Sequence, residues 1–168
     1  DTISPLPDII IPEIEDSSDL FMPGKAYKIA LLLPFSLNAY APEFQDTATT
    51  HFKRATEIAL EFYQGFQMAV DRMEQSELDA EIFVFDTRND ESTVRKILNS
   101  SDFPKADLMI GPVFNDNLRI AADYCDKNKI PMISPLSSST DITSENSFYY
   151  SANGTSTAHY EALANHIK

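Results

Sequence analysis

Polar side chains that could bind a small molecule are concentrated in two short stretches of the chain. The first is Val113-Phe114-Asn115, which offers an aromatic face and a side-chain amide. The second runs from Leu136 to Thr140 and offers a row of hydroxyl groups. Each follows a short apolar run that stops at a proline, Gly111-Pro112 in one case and Ser134-Pro135 in the other. We interpret both stretches as loops at strand ends that supply hydrogen bonds to a ligand, with the serines as donors rather than nucleophiles.

The sequence contains no motif of the common cofactor-dependent or hydrolytic enzymes. Pro34-Phe35-Ser36 follows the first apolar run, where a dinucleotide-binding protein has Gly-x-Gly-x-x-Gly, and there is no phosphate-binding loop. A Gly-x-Ser-x-Gly elbow is also missing. The three histidines are scattered and would need carboxylate help to hold a metal. We predict a non-catalytic protein without cofactor or metal, in which Asp86 caps its own loop through Thr87 and Asn89.

Length, charge and cysteine content narrow the class of protein. A chain of 168 residues is about one domain and can bury a hydrophobic core without disulfides or structural metal ions. Its net charge of −13 argues against nucleic acid and anionic membranes as partners and favours cationic or neutral ones. The single cysteine, Cys125, excludes an intramolecular disulfide and falls on the apolar face of a predicted helix. Its thiol is predicted to be an inert part of the core.

Short apolar runs alternate with amphipathic segments along most of the chain. The run that follows Tyr27 is apolar on both faces, as expected for a central strand of a covered parallel sheet. The pattern predicts strands near 27–34, 81–85, 106–110, 130–134 and 148–150, and helices near 52–75, 91–100, 116–128 and 155–168. This alternation is typical of a doubly wound α/β fold. We predict a mainly parallel five-stranded sheet in the order 2-1-3-4-5, with helices on both faces.

Parallel strands end at one edge of a sheet, so the residues that follow them should meet there. The predicted ligand-binding residues are Phe35, Ser36, Phe114, Asn115, Leu136, Ser137 and Ser138.

A single buried core is predicted from Ile29, Leu31, Leu33, Val84, Phe85, Met109, Ile110, Met132 and Ile133. Gly65, inside the first predicted helix, suggests a close approach to a strand.

Two segments differ in character from the rest of the chain. Residues 1–24 hold four of the ten prolines and six acids, which predicts an acidic proline-rich linker, with a strand pinned to the domain surface as the alternative. Residues 37–51 are polar and form a longer connection than strand-to-helix loops usually need. These residues form either a lid or a decorated edge, that is, an additional segment at the edge of the sheet.

Several of these stretches together resemble a known family. The strings ADLMIGPVFNDN and NKIPMISPLSSSTDIT, with YKIALLLPFS upstream and FYYSANGTSTAHYEALANHI downstream, are similar to the first lobe of type I periplasmic solute-binding proteins. The similarity covers Tyr27 to Lys168 and points to the receptor-like branch that binds amino acids, including branched-chain ones. The segment ALEFYQGFQMAVDRM resembles bacterial envelope members that follow a LysM peptidoglycan-binding region.

The resemblance implies that residues 25–154 are a first lobe and 155–168 a crossover helix toward a second lobe. In the family, the matching positions Ser36, Asn115, Leu136, Ser137 and Ser138 hold the carboxylate and amine of an amino-acid-like ligand. Asn115 departs from the serine often found there, and Leu136 is bulkier than the expected small residue.

A second hypothesis is a protein-interaction module, without a small ligand, that regulates peptidoglycan synthesis or envelope assembly. The resemblance implies a periplasmic or outer-membrane location, an envelope protein as the alternative partner, and a peptidoglycan link through a neighbouring domain.

The last predicted helix carries an apolar stripe made of Tyr160, Leu163, Ala164 and Ile167. A single lobe offers no second lobe to cover this stripe. We therefore expect the helix either to pack back on its own lobe or to form a dimer with a second chain. We also expect weak ligand affinity, because a single lobe leaves a small ligand largely hydrated.

Overall fold

Five parallel strands form the centre of the fold in a computed structural model that describes residues 25–40, 53–73, 79–138, 141–142, 146–154 and 156–167. The strands are β1 (Tyr27–Leu33), β2 (Ala80–Asp86), β3 (Leu108–Ile110), β4 (Met132–Ser134) and β5 (Tyr149–Ser151). Their order is β2-β1-β3-β4-β5, and every neighbouring pair is parallel. The predicted doubly wound α/β topology is confirmed. The predicted linker at 1–24 and residues 41–51 of the segment predicted to be a lid or a decorated edge lie outside the described residues.

Helices connect these strands and cover the sheet. They are α1 (Arg54–Met73), α2 (Glu91–Leu98), α3 (Asn115–Asn128) and α4 (Ser156–Ile167), with a short 3-10 turn at Leu37–Tyr40. Helix α2 begins where the Asp90 carboxylate accepts a hydrogen bond from the Thr93 N–H, a standard N-terminal cap. Helix α3 ends at Lys129, which adopts a left-handed conformation. No helix in these ranges is long and apolar enough to cross a membrane.

The hydrophobic core is divided by the sheet into two layers. Successive side chains of a strand point to opposite faces, so alternate residues of β1 enter different layers. Leu31 and Leu33 pack on one face with Ala59 of α1, whereas Ala30 and Leu32 pack on the other face with residues of α2 and α3. The prediction of one continuous core is therefore wrong. Leu31, Leu33, Met109 and Met132 are buried in one layer or the other, and Phe85 and Ile110 pack partly buried against them.

Two residues predicted to pack closely do not. Val84 lies on the edge strand β2 and is 43% exposed, although its neighbour across the strand pair, Leu31, is fully buried. An edge strand has a neighbouring strand on one side only, which leaves more of its side chains open to water. A Cβ atom added at Gly65 would meet no heavy atom of the described residues within 4 Å, so the predicted close approach of this glycine to one of the five described strands is wrong.

Cys125 is part of the core, as predicted. Its side chain is fully buried on α3, and its Sγ lies 3.6 Å from the Sδ of Met109. Burial raises the pKa of the Cys125 thiol to about 12. At neutral pH the group therefore stays protonated and unreactive.

Helix α4 extends from the lobe with its apolar stripe uncovered by the described residues. Tyr160, Leu163 and Ile167 are 71%, 57% and 76% exposed, and no residue of the helix is buried. The expectation that the stripe packs back on its own lobe is wrong for the described part of the chain. Pairing with a second chain stays a prediction.

Candidate functional site

The carboxyl edge of the sheet is shaped by a sharp turn directly after β3. Gly111 has φ +83°, and an added Cβ would lie 2.3 Å from the carbonyl oxygen of Leu32 on β1. Only glycine fits this combination of positive φ and close backbone approach. The turn is held by the Gly111 N–H, which donates to the Ile133 carbonyl of β4 at 2.9 Å. It directs Val113, Phe114 and Asn115 toward the loop that follows β4.

The two polar stretches singled out in the sequence meet at this edge. They form a crevice of about 370 Å³ lined by Val113, Phe114, Asn115, Leu136, Ser137, Ser138 and Ser156. The Ser137 hydroxyl donates a 3.0 Å hydrogen bond to Asn115 Oδ1 and so joins the loop after β3 to the loop after β4. Ser139 and Thr140, which complete the hydroxyl row, lie outside the described residues.

Polar contacts from β4 and β5 fix the shape of the Ser137 loop. The Ser134 hydroxyl accepts the Ser137 N–H at 3.3 Å. The Ser151 hydroxyl donates to the Ser137 carbonyl at 2.6 Å, and the Asn153 amide donates to the Leu136 carbonyl at 3.2 Å. Our sequence reasoning missed Ser134, Ser151 and Asn153. They could have been found from their positions at the ends of neighbouring predicted strands, since Ser134 and Ser151 are register partners.

Two helix N-termini contribute to the crevice. Phe114 occupies the N-cap position of α3 and makes no side-chain cap hydrogen bond, so the first N–H groups of the helix have no side-chain acceptor there. Ser156, the first residue of α4, lines the same crevice, and its Oγ lies 3.3 Å from Ser138 Oγ. Helix N-termini carry partial positive charge and attract anions. The crevice therefore combines neutral hydroxyl groups with the N-termini of two helices.

Phe35 and Ser36 do not line this crevice, although both follow β1 at the same edge of the sheet. Phe35 turns inward, is 8% exposed, and packs edge-on against the Tyr63 ring with centroids 5.6 Å apart. Its carbonyl accepts a 3.2 Å hydrogen bond from the buried Thr56 hydroxyl. Ser36 has φ +55°, and its N–H donates to Asp86. The predicted set therefore separates into a crevice group and a pair nearer α1 and β2.

Asp86 has a wider role than the predicted one. Its carboxylate accepts the backbone N–H groups of Ser36, Leu37 and Arg88, each at 2.9 Å. The prediction that Asp86 caps its own loop is confirmed, but the donor is the Arg88 N–H rather than Thr87 or Asn89. Asp86 also ties the turn after β1 to the turn after β2.

No described residues form a group of three or more His, Cys, Asp or Glu side chains suited to a metal ion. The arrangement at this edge can hold a small polar molecule by hydrogen bonds and helix-end electrostatics. The described lining contains no histidine or carboxylate that could act as a base for its serines.

Comparison with known proteins extends these observations. A sequence profile described as receptor family ligand binding region matches residues 31–167. A comparison with curated proteins gives no match.

Several solved structures share the fold at low sequence identity. LivJ, a branched-chain amino acid substrate-binding protein from Streptococcus pneumoniae solved with isoleucine, superposes with a TM-score of 0.61 at 16% identity, covering 78% of this chain and 34% of LivJ. A leucine-binding protein, LivK from Thermotoga maritima, gives 0.58 at 20%, covering 83% and 36%. An ABC transporter substrate-binding protein from Desulfitobacterium hafniense in complex with Leu gives 0.63 at 16%, covering 85% and 38%. The chain thus spans about a third of the length of these structures.

Proposed function

The chain belongs to the receptor family ligand binding region, whose solved neighbours are type I periplasmic binding proteins, and from this premise we propose that it binds an amino-acid-like small molecule. The observation that carries the proposal is the meeting of two helix N-termini and two hydroxyl groups, those of Ser138 and Ser156, at one crevice. These groups suit the carboxylate of the ligand. The crevice volume, about 370 Å³, is within the range of small-molecule sites.

Each lining residue has a distinct role in this proposal. Ser138 and Ser156 donate hydrogen bonds to the carboxylate, and the first turn of α3 supplies N–H groups and a favourable dipole. Ser137 and Asn115 are bonded to each other at 3.0 Å and position the loops rather than the ligand. Leu136, which is 44% exposed at the rim, offers an apolar contact to the rest of the molecule. The role is binding without chemistry, in the periplasm.

The domain organisation follows the same premise. Residues 25–154 act as one lobe of a two-lobed binding protein, 155–168 as the crossover helix, and 1–24 as a linker. One lobe covers only one side of a small ligand, so the affinity of this chain is expected to be weak.

The proposal is tested by ¹H–¹⁵N NMR titration of the chain with leucine. We expect saturable shifts at Asn115, Ser138 and Ser156. Ser138→Ala should weaken binding by about tenfold, because it removes one hydrogen bond to a charged group. Ser101→Ala, at an exposed position after α2, is the matched control and should leave the affinity unchanged. Absence of saturable shifts, or equal loss in both variants, would refute the proposal.

A second candidate function is binding of another envelope protein, and the uncovered stripe of α4 favours it. Exposed apolar patches of this kind mark interaction surfaces. In this case the titration with leucine would leave the crevice resonances unchanged. The affected resonances would instead be those of Tyr160, Leu163 and Ile167 when the partner is added.

A further inference from the structure

The proposed carboxylate crevice has a neighbouring cavity on the other side of Phe114. This second cavity has a volume of about 590 Å³ and is lined by Asn89, Asp90, Glu91, Phe114, Asp116 and Asn117. Its lining contains three carboxylates and no lysine or arginine among the described residues. The two cavities share Phe114 as a common wall. One edge of the sheet therefore presents a neutral crevice and an acidic cavity side by side.

The first turn of α3 separates the two cavities. Asn115 and Asn117 are two residues apart, which places them about 200° apart around a helix of 3.6 residues per turn. Asn115 accepts from the Ser137 hydroxyl at 3.0 Å, on the side of the loop after β4. Asn117 donates from Nδ2 to Asn89 Oδ1 at 3.2 Å, on the side of the loop after β2. A ligand lying across this turn could reach both cavities.

Asn117 supplies an observation that is independent of the carboxylates. It is 3% exposed and lines the acidic cavity, yet its side-chain Oδ1 has no hydrogen-bond partner within the described ranges. A buried carbonyl oxygen without a donor is costly, and native proteins usually satisfy it. A donor brought by a ligand would satisfy this oxygen. An ammonium or guanidinium group is such a donor and suits the surrounding negative charge.

The three carboxylates of the cavity are not equivalent. Asp90 is already engaged as the cap of α2, where its Oδ2 accepts from Ser92 Oγ at 2.6 Å and from both the N–H and the Oγ1 of Thr93 at 2.7 Å. Glu91 forms an exposed ion pair with Arg95 at 3.7 Å. The Asp116 carboxylate makes no side-chain hydrogen bond or ion pair with the described residues. Asp116 is therefore the carboxylate most available to a ligand cation.

Building on the function proposed above, we propose that the ligand is an amino acid with a positively charged side chain, such as lysine or ornithine. Its carboxylate lies in the crevice of Ser138 and Ser156, its aliphatic carbons pass the Phe114 ring, and its terminal ammonium enters the acidic cavity. There it donates to Asp116 and to Asn117 Oδ1. The acidic cavity distinguishes this ligand class from the neutral amino acids that the solved neighbours contain.

The test compares lysine with norleucine, which has a side chain of similar length without the terminal ammonium. In an NMR titration we expect lysine to bind the chain about tenfold more tightly than norleucine, as one charge-assisted hydrogen bond provides. Shifts at Asn89 and Asn117 should follow lysine but not norleucine. In Asp116→Asn the affinity ratio should fall toward one, with norleucine binding unchanged. Asp123→Asn, which makes the same charge change outside this cavity, should keep the ratio.

The outcomes separate the two proposals. If norleucine binds at the crevice and lysine binds equally well, the acidic subsite is refuted and the proposed function stands. If neither amino acid binds, both are refuted. A lysine preference that survives in Asp116→Asn would refute the assignment of Asp116. The ratio measured in the unaltered chain decides the class of ligand even if a variant fails to fold.

Discussion

Leu31 and Val84 provide a paired test of the two-layer core. They are register partners on adjacent strands β1 and β2, yet Leu31 is fully buried and Val84 is 43% exposed. Leu31→Ala removes three carbons from a buried site, a transfer loss of about 2.4 kcal/mol at about 0.8 kcal/mol per methylene. The cavity left behind adds to this, so the total should be about 3–5 kcal/mol. Val84→Ala removes two carbons that are partly in water and should cost about 1 kcal/mol.

Urea denaturation followed by circular dichroism measures both values. Each variant should unfold in one transition with an unchanged dependence on urea concentration, so that the midpoint shift reports stability. The pair is informative because both substitutions leave alanine on the same face of neighbouring strands. Equal losses in the two variants, or a loss below about 0.5 kcal/mol for Leu31→Ala, would show that β1 is not a buried interior strand between β2 and β3.

Further predictions concern the edge, the helix caps and α4. Gly111→Ala should unfold or strongly destabilise the chain, because its Cβ would lie 2.3 Å from the Leu32 carbonyl oxygen; a melting temperature within a few degrees of the unaltered chain would contradict this. Hydrogen bonds from Ser92 and Thr93 lower the pKa of Asp90 from 3.8 to about 2. The stability from this cap is therefore present above about pH 4 and is lost as the pH falls toward 2; denaturation curves of Asp90→Asn should lack that part of the decline. Sedimentation velocity should show dimers that Leu163→Glu disperses, and a concentration-independent monomer would leave the α4 stripe without a second chain.

The sequence predicted the sheet better than the orientation of individual side chains. Proline after an apolar run marked the ends of β3 and β4, and the strand order followed from the alternation of strands with helices. Sequence alone could not show that Phe35 turns inward against Tyr63, because the backbone conformation directly after β1 decides which way the ring points. It also could not show Asp86 bonding the N–H of Ser36, which is 50 positions away in the chain.

The sequence predicted five of the residues that line the crevice but not the acidic cavity beside it. The crevice residues Phe114, Asn115, Leu136, Ser137 and Ser138 meet because parallel strands share a carboxyl edge, and that rule needs only the strand order. The acidic cavity depends on how the loop after β2 faces the start of α3. The Asn89–Asn117 hydrogen bond joins these two elements between residues far apart in sequence, and no local pattern indicates it.

The bond between Ser137 and Asn115 also bears on how the site can change through evolution or engineering. A hydroxyl donor on one loop and an amide oxygen on the other form a single pair, 22 positions apart in the chain. Replacing either partner alone removes this bond between the two loops, whereas replacing both together can restore a complementary pair. Related chains should therefore vary at 115 and 137 in concert. A library that redesigns ligand preference should randomise the two positions jointly.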